Sequence, residues 1–331
     1  MEKGYITSFL VIILIFTVVF ISMNYRNNST SQAQSVQQNG IPIKAEANID
    51  LYTLYYSLEA KILTNTLTSE EKKSAIATMT NFDFEPFLQD YNTGNLYDIW
   101  LYSKILKNLN LSNPSRDSII NYINDLLSTN GYFLSYHGED SKQEPENYLM
   151  STKMALEILD ILTYELSDQI YFSISNWLKE NYSEFELDTN KYDIVSFSGF
   201  LNLISSIEIT LKKHGIENLS IIKQINLHNL QKSLLDTKLD IQLMESIMDI
   251  NQQLDKDIAP IDISDIKKIT ELENQDGGYP LYSQPKEKSD ILTTYLVYKV
   301  LSQLNLEISL TNKQLKYLNT NLQYGLNKGI N

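Results

Sequence analysis

The sequence predicts an all-α protein whose main body is an (α/α)6 toroid, a closed ring of about six helix pairs. Two observations favour this class. Apolar-rich stretches with helical periodicity recur along most of the chain, and helix-capping signals alternate with them. Both series repeat at intervals of roughly 44 to 55 residues, which is the length of a helix-pair repeat. An open superhelix of helix pairs is the alternative, because it carries the same local signals without closing.

The ring is expected to follow one N-terminal transmembrane helix. Tyr5 to Met23 carries no charge and is mostly Leu, Ile, Val and Phe, and about twenty helical residues span a hydrocarbon layer of ~30 Å. A cleaved signal peptide is the alternative, but its nearest small-x-small site, Ser31-Gln32-Ala33, lies far past the apolar core. With only a short tail, residues 1–4, before the span, we expect a single-pass cell-membrane protein whose main domain is extracytoplasmic.

Residues 24–48 are rich in Asn, Ser, Gln and Thr and include Gly40 and Pro42. Such a stretch cannot bury enough apolar surface to fold, so it predicts a flexible polar linker. The toroid would then occupy residues 49–331 as one domain.

Six apolar-rich stretches predict the helices that line the inside of the ring. They are Leu51–Leu63, Tyr97–Leu109, Tyr148–Leu162, Ile194–Leu211, Leu239–Ile250 and Ile291–Leu304. Similar places in these helices are taken by Trp100, Lys153, Phe200, Met244 and Tyr295. Each stretch lies just before a capping signal, so two interleaved sets of six helices are expected, one inside the other.

The outer helices are expected to start at six dipeptides in which an apolar residue precedes Ser or Thr. The hydroxyl oxygen can accept hydrogen bonds from first-turn amides, and the apolar residue packs back onto that turn. The dipeptides are Leu67-Thr68, Leu111-Ser112, Leu166-Ser167, Leu219-Ser220, Ile263-Ser264 and Leu310-Thr311. Glu71 follows Thr68 at the spacing of a capping box. Gln314 follows Thr311 in the same way, and Asn113-Pro114 predicts a helix that begins at the proline.

A glycine turn stands between two of the predicted helices. It is formed by Glu273, Asp276, Gly277, Gly278 and Tyr279, and the next helix opens at Asp290 and contains Thr294-Tyr295. Paired glycines permit positive φ and close backbone approach, and the Asp side chain can hydrogen-bond the turn.

This order resembles the repeat of the protein prenyltransferases and of the squalene and oxidosqualene cyclases. Their repeat is a Gln-x-x-Asp-Gly-Gly-aromatic turn followed by a Thr-Tyr helix, and here Glu273 stands at the Gln position. Asn130-Gly131-Tyr132-Phe133, followed by Ser151-Thr152-Lys153, is similar to a degraded copy in which Thr152 matches Thr294. The resemblance implies an α/α toroid.

The catalytic motifs of those families are absent from the sequence. The prenyltransferases bind zinc through Asp, Cys and His, whereas this chain has no Cys. The cyclases protonate their substrate from an Asp-x-Asp-Asp motif, and the nearest acidic pairs here are Asp83-Phe84-Glu85 and Asp255-Lys256-Asp257. The three histidines lack metal-ligand spacing. We therefore predict no catalytic residue, no metal and no cofactor. The net charge of -14 excludes a basic face for nucleic acid.

The candidate ligand site combines inner-helix side chains with the loops that enter those helices, which form the mouth of such a ring. Its predicted residues are Trp100, Tyr132, Tyr136, His137, Tyr148, Tyr279, Tyr282, Asp290 and Tyr295. The alternative is that these aromatic residues fill turns and pack between helices. Asp98, Asp193, Asp240 and Asp290 fall near helix starts, where a carboxylate caps free amides. Paired across a cavity, such carboxylates would instead suit glycan hydrolysis.

Three functions are compatible with these features. The first is a non-catalytic, membrane-tethered toroid that binds a ligand (a glycan, lipid or peptide) or a partner protein. The second is an enzyme on the same scaffold, either cyclase-like on an isoprenoid or carboxylate-dependent on a glycan. The third is a purely structural extracytoplasmic spacer.

Overall fold

The computed structural model describes residues 49–85, 88, 96–137, 147–182, 194–216, 241, 244–245, 248–249, 263–280 and 288–327. The chain divides into two compact units, Met1–Glu46 with Asp188–Phe197, and Ala47–Leu187 with Ser198–Asn331. All described residues except 194–197 belong to the second unit. The predicted anchor and the predicted linker lie outside the described residues.

Ten helices make up most of the described part of the chain. They are α1 Leu51–Leu63, α2 Ser69–Asn81, α3 Leu96–Leu109, α4 Arg116–Asp125, α5 Asn147–Ile161, α6 Asp168–Tyr182, α7 Ile194–Lys213, α8 Ile263–Thr270, α9 Ile291–Gln303 and α10 Asn312–Asn327. The only sheet among these residues is an antiparallel pair, β1 Tyr279–Pro280 with β2 Ser289–Asp290. The predicted all-α class is therefore confirmed.

Five of the six predicted inner helices match α1, α3, α5, α7 and α9 to within two residues at each end. In the sixth, Leu239–Ile250, positions 241, 244, 245, 248 and 249 are helical and the others lie outside the described residues. None of the helices described here has the length and apolar character needed to cross a bilayer.

The predicted caps are confirmed at two outer helices and wrong at two others. Thr68 and Glu71 form a reciprocal capping box at the start of α2, and Thr311 forms the same pair of bonds with Gln314 before α10. The helix predicted to begin at Pro114 instead begins at Arg116.

The late start of α4 has a local cause. The Asn113 side chain accepts a hydrogen bond from the Ser115 amide, and the Asn113 carbonyl accepts one from Arg116. This closed turn delays the helix by two residues. Ser264 is not a cap either, because it lies inside α8, which starts at Ile263. Asp262, a preferred N-cap type, precedes that helix in the sequence.

The first described helix packs against the last two. α1 contacts α9 and α10 as well as α3, and Leu54 and Leu58 of α1 are fully buried. Gly325 lets α10 approach the backbone of α1 closely, because an added Cβ at this position would lie 2.7 Å from the backbone nitrogen of Leu54. The Asp50 amide, just ahead of α1, donates a hydrogen bond to the Gly325 carbonyl at 3.1 Å.

A buried lysine links the same helices. Lys61, near the end of α1, is 1% exposed. Its ammonium group lies 3.1 Å from the Glu71 carboxylate on α2 and donates to the Asn319 side chain on α10. One cation therefore joins the first two described helices to the last.

The two glycine turns share one construction. Gly131 and Gly277 both have positive φ, 89° and 93°. A Cβ on either would lie within about 2.5 Å of backbone in the following outer helix, at Ser173 and Lys313 respectively. The predicted internal copy is therefore confirmed at the level of the turn.

Each turn is fastened to the next inner helix by a threonine. The Phe133 amide donates to Thr152 Oγ1 at 3.1 Å, and the Tyr279 amide donates to Thr294 Oγ1 at 3.0 Å. In the second turn this bond helps to place Tyr279 opposite Asp290 in the short sheet. The sequence predicted no strand there.

The Gly325→Ala substitution should destabilise the protein by about 1 to 3 kcal/mol, because the added methyl overlaps the α1 backbone and forces the helices apart. Urea unfolding followed by circular dichroism measures this change. Tyr324→Ala is the matched control, since the neighbouring Tyr324 side chain is 47% exposed and its loss should cost at most about 0.5 kcal/mol. Equal effects of the two substitutions would contradict the close approach.

The Thr294→Val substitution should destabilise the protein by about 1 to 3 kcal/mol, because it leaves the buried Tyr279 amide without an acceptor. Thr294→Ser keeps the oxygen and should cost less. Thr152→Val should repeat the effect at Phe133. Chemical unfolding of the three variants tests the shared construction, which would be refuted if the valine and serine variants at position 294 were equally stable.

Candidate functional site

Six aromatic side chains from three helices meet in one cluster, which we name the aromatic layer. Its members are Tyr52, Tyr55 and Tyr56 of α1, Tyr97 and Trp100 of α3, and Tyr295 of α9. Tyr56 contacts Tyr52 and Tyr55 edge to face at 4.9 and 4.8 Å between ring centroids. Tyr55 meets Trp100 at 5.3 Å, and Tyr56 meets Tyr295 at 5.6 Å. The layer therefore joins helices from the two ends of the described chain.

The aromatic layer is only partly closed to water. Tyr55 and Tyr56 are buried, and form its floor. Tyr52, Tyr97, Trp100 and Tyr295 are half-buried. Partly exposed rings packed against buried ones give a surface on which a ligand can lie.

Charged and amide side chains lie one or two helical turns after the aromatic residues on α1, α3 and α9, and others on α5, on α7 and at positions 245 and 249 bond with them or with each other. We name them the charged belt. They are Glu59, Lys104, Asn108, Lys153, Glu157, Asn202, Glu245, Asp249, Lys299 and Gln303. The described members are half-buried. They bond between neighbouring helices, as in the contact from Asn108 to Glu59 and the 3.4 Å contact from Lys153 to Asn202.

Glu157 connects the belt to the aromatic layer. Its carboxylate accepts a 2.7 Å hydrogen bond from the Trp100 indole and lies 2.9 Å from Lys104 and 3.7 Å from Lys153. Burial alone would raise the pKa of Glu157, but the two lysines outweigh burial and lower that pKa to about 2. Glu157 is thus ionised at neutral pH.

Lys299 bridges two carboxylates in the belt. Its ammonium group contacts Glu245 and lies 2.6 Å from Asp249, which also accepts from Gln303. Burial raises the pKa of Glu245 above its usual range, and the Asp249 charge adds to the shift against the opposing pull of Lys299. Two carboxylates share one ammonium, so one of them tends to hold a proton.

Asp290 lies where the α9 N-terminus meets the aromatic layer. One carboxylate oxygen caps the helix by accepting from the Thr293 amide at 2.8 Å, and the other accepts from the Tyr52 hydroxyl at 3.3 Å. Burial raises the pKa of Asp290, although the bonds from Thr293 and Tyr52 oppose the shift. The capping role expected for this residue is confirmed.

Nearby charges act on the tyrosines of the aromatic layer, and they include Lys299, which opposes the rise that burial causes in the pKa of Tyr295. Burial is the main reason why the pKa values of these tyrosines are raised, and nearby carboxylates raise them further. Asp290 acts on Tyr52 and Tyr56, while Glu59 acts on Tyr55 and Tyr56. Each carboxylate makes it less favourable for a tyrosine hydroxyl of the layer to lose its proton and become negatively charged.

The structure brings together three of the predicted site residues, Trp100, Asp290 and Tyr295. Tyr132 and Tyr148 stack on each other at 4.1 Å and are buried. Both side chains lie beside the turn that contains Gly131.

The remaining predicted residues lie in several places. Tyr279 is buried against Tyr298. Tyr136 is 42% exposed, and His137 packs against the edge of Tyr122. Tyr282 lies outside the described residues. Asp98 is buried in the first turn of α3, and Asp193 and Asp240 lie outside the described residues.

The sequence reasoning missed most of the aromatic layer and nearly all of the charged belt. A signal for both existed on α1, where Tyr52, Tyr55, Tyr56 and Glu59 follow the i, i+3, i+4, i+7 pattern of one helix face. No group of three potential metal ligands occurs among the residues described by the structure.

No model of a known protein family matches the chain, and no curated protein matches it.

The Glu157→Gln substitution should destabilise the protein by about 2 to 3 kcal/mol near neutral pH, because a carboxylate with a lowered folded-state pKa stabilises the fold above its unfolded pKa. That stability is lost as the pH falls from 4.5 toward about 2. Wild type and variant should therefore converge in acid. Unfolding free energies measured across this range test the effect.

Glu180→Gln is the control for this titration, because Glu180 is exposed on α6 and its replacement should change stability little at any pH. A Glu157→Gln effect of constant size from neutral to acid pH would show that its charge is not what stabilises the fold.

Proposed function

We propose that the chain is a membrane-tethered, extracytoplasmic α/α toroid that binds a ligand at the aromatic layer without catalysing a reaction. The observation that carries this proposal is the convergence of six aromatic side chains from three helices, four of them half-buried, beside a belt of paired charges. A purely structural spacer gives no reason to keep such a surface in reach of water.

The toroid is supported by the contacts of the first described helix with the last two. Side-chain bonds also run from α7 to α5 through Lys153, and from α5 to α3 through Glu157. The chain of contacts continues from α3 to α1 and α9 through the aromatic layer, and to the helical positions 245 and 249 through Lys299. An open superhelix would keep its first and last helices apart.

The tether and the location rest on the sequence. Residues 5–23 have the length and composition of a membrane span, and the polar stretch 24–48 separates them from the helical body. Membrane anchoring through this segment would hold the aromatic layer outside the cell, where a glycan, a lipid, a peptide or a partner protein is available.

The absence of catalysis is inferred from how the carboxylates are used. Glu157 is held ionised by two lysines, and Asp290 caps a helix with one oxygen while accepting from Tyr52 with the other. A general acid needs a proton to donate at neutral pH. These two side chains are therefore better suited to fix the site than to react in it.

Glu245 favours the second candidate, a carboxylate-dependent enzyme acting on a glycan. Its pKa is raised by burial and by Asp249, as expected of a general acid, and its charge acts on Tyr56 and Tyr295 of the aromatic layer. Its contact with Lys299 weighs against this role. An isoprenoid cyclase would share the aromatic surface but needs a stronger acid.

The full chain in lipid nanodiscs should bind at least one of three probes: N-acetylglucosamine oligosaccharides, phosphatidylcholine vesicles, or a lysine-containing pentapeptide. Trp100→Ala and Tyr295→Ala should weaken that binding about tenfold, because each removes a contact worth about 1.4 kcal/mol. Calorimetry or biolayer interferometry measures the affinities.

Phe172→Ala is the control, since the Phe172 side chain is 58% exposed on the outer helix α6. The binding proposal fails if no probe binds, or if folded Trp100→Ala and Tyr295→Ala proteins bind as tightly as wild type. Mass spectrometry of the oligosaccharide mixtures separates the candidates: product formation that Glu245→Gln abolishes would establish the enzyme instead.

A further inference from the structure

We propose that the ligand held at the aromatic layer carries a positively charged alkylammonium nitrogen, which the ring faces and the carboxylates of Asp290 and Glu59 bind together. This inference rests on the proposed binding function and names the chemistry of its ligand. The argument has three parts, namely the arrangement of the rings, the balance of charge around them, and a lysine that already occupies one ring.

The rings are arranged in a way that suits a cation. Neighbouring members of the aromatic layer meet at steep angles, with 68° between Tyr52 and Tyr56 and 70° between Tyr55 and Trp100. An edge-to-face contact covers a face of only one of the two rings, so faces remain in each pair for further contacts. Faces of Trp and Tyr attract cations, and several together form the aromatic cages that recognise quaternary ammonium groups.

Two carboxylates beside the layer have only neutral partners among the residues that the structure describes. Glu59 accepts from the Asn108 amide. Asp290 accepts from Tyr52 and from Thr293. Half-buried carboxylates without a cation favour the approach of one, because their charge is only partly screened by water.

The lysines near the layer do not cancel this charge, because each is already paired. Lys104 and Lys153 contact Glu157. Lys299 contacts both Glu245 and Asp249. Among the described residues around the layer, the carboxylates of Glu157, Glu245, Asp249, Asp290 and Glu59 therefore outnumber the ammonium groups of the three lysines.

One ring of the layer already holds an ammonium group. The Nζ atom of Lys104 lies 5.3 Å from the Trp100 ring centroid, within the distance of a cation–π contact. Trp100 also meets Tyr55 and Tyr97. The ligand nitrogen would make the same kind of contact with the half-buried tyrosines that Lys104 makes with the indole.

The test compares choline with 3,3-dimethylbutan-1-ol, a neutral molecule of the same shape, on the full chain in nanodiscs. The indole N–H signal of Trp100 in NMR spectra reports binding, and Trp177→Phe assigns the two indole signals. Choline should bind at least about tenfold tighter than the neutral alcohol, because only the cation gains from the rings and carboxylates.

Asp290→Asn is the diagnostic variant. Asparagine caps helices as well as aspartate does, so the variant should fold while losing the negative charge. Choline affinity should fall by at least about fivefold and affinity for the neutral alcohol should not change. Glu271→Gln, an exposed position, is the matched control and should bind both probes like wild type.

Two further binding measurements identify the source of the ammonium group. Binding to phosphatidylcholine vesicles but not to glycerophosphocholine would indicate a lipid headgroup, and the reverse would indicate a soluble or polymer-linked group. Equal affinities for choline and the neutral alcohol, no choline binding, or full choline affinity in Asp290→Asn would overturn the inference. Oligosaccharide binding that Trp100→Ala abolishes would leave the binding function standing in each of those cases.

Discussion

A buried ammonium group joins the beginning of the helical body to its end. Lys61 is withdrawn from water, and removal of a charge from water costs several kcal/mol unless good partners compensate. Those partners come from two other helices, since Glu71 lies in the first turn of α2 and Asn319 lies in α10. All three elements must therefore be in place together. The same helices carry the Leu54–Gly325 approach, so the position of α1 against α10 is set by polar and apolar contacts at once.

The position of α1 in turn determines the aromatic layer. α1 supplies three of its six rings, and its other neighbours, α3 and α9, supply the rest. Trp100 connects the aromatic layer with the charged belt, because its ring packs on tyrosines while its N–H group donates to Glu157. Polar side chains of the charged belt bond neighbouring helices to each other, as Asn108 does with Glu59. On α1, α3 and α9 these polar contacts and the aromatic contacts occupy different turns of the same helix.

Local signals made most of the fold predictable. Helical periodicity located α1, α3, α5, α7 and α9, and the caps at Thr68 and Thr311 follow from bonds within four residues. The turn of Gly277 was equally clear, since a positive φ and a close backbone approach both demand glycine. The start of α4 was not predictable in the same way, because Asn113 can cap a helix or close a turn.

The candidate site was harder to predict because its members are distant in sequence. Tyr52 and Asp290 are bonded across most of the chain, and nothing local to either indicates the other. Tyr132 and Tyr279, next to the glycine turns, were predicted to belong to the site. Both instead fill the space around those turns and are buried. Side chains chosen by their inward position, as Trp100 and Tyr295 were, proved to lie together.

The hydrogen bond from the Asp50 amide to the Gly325 carbonyl has a mechanical consequence. Separation of α1 from α10 would break this bond and the Leu54–Gly325 approach together. A force applied at Asp50 would therefore be borne by two helices that are far apart in the sequence, and not by α1 alone.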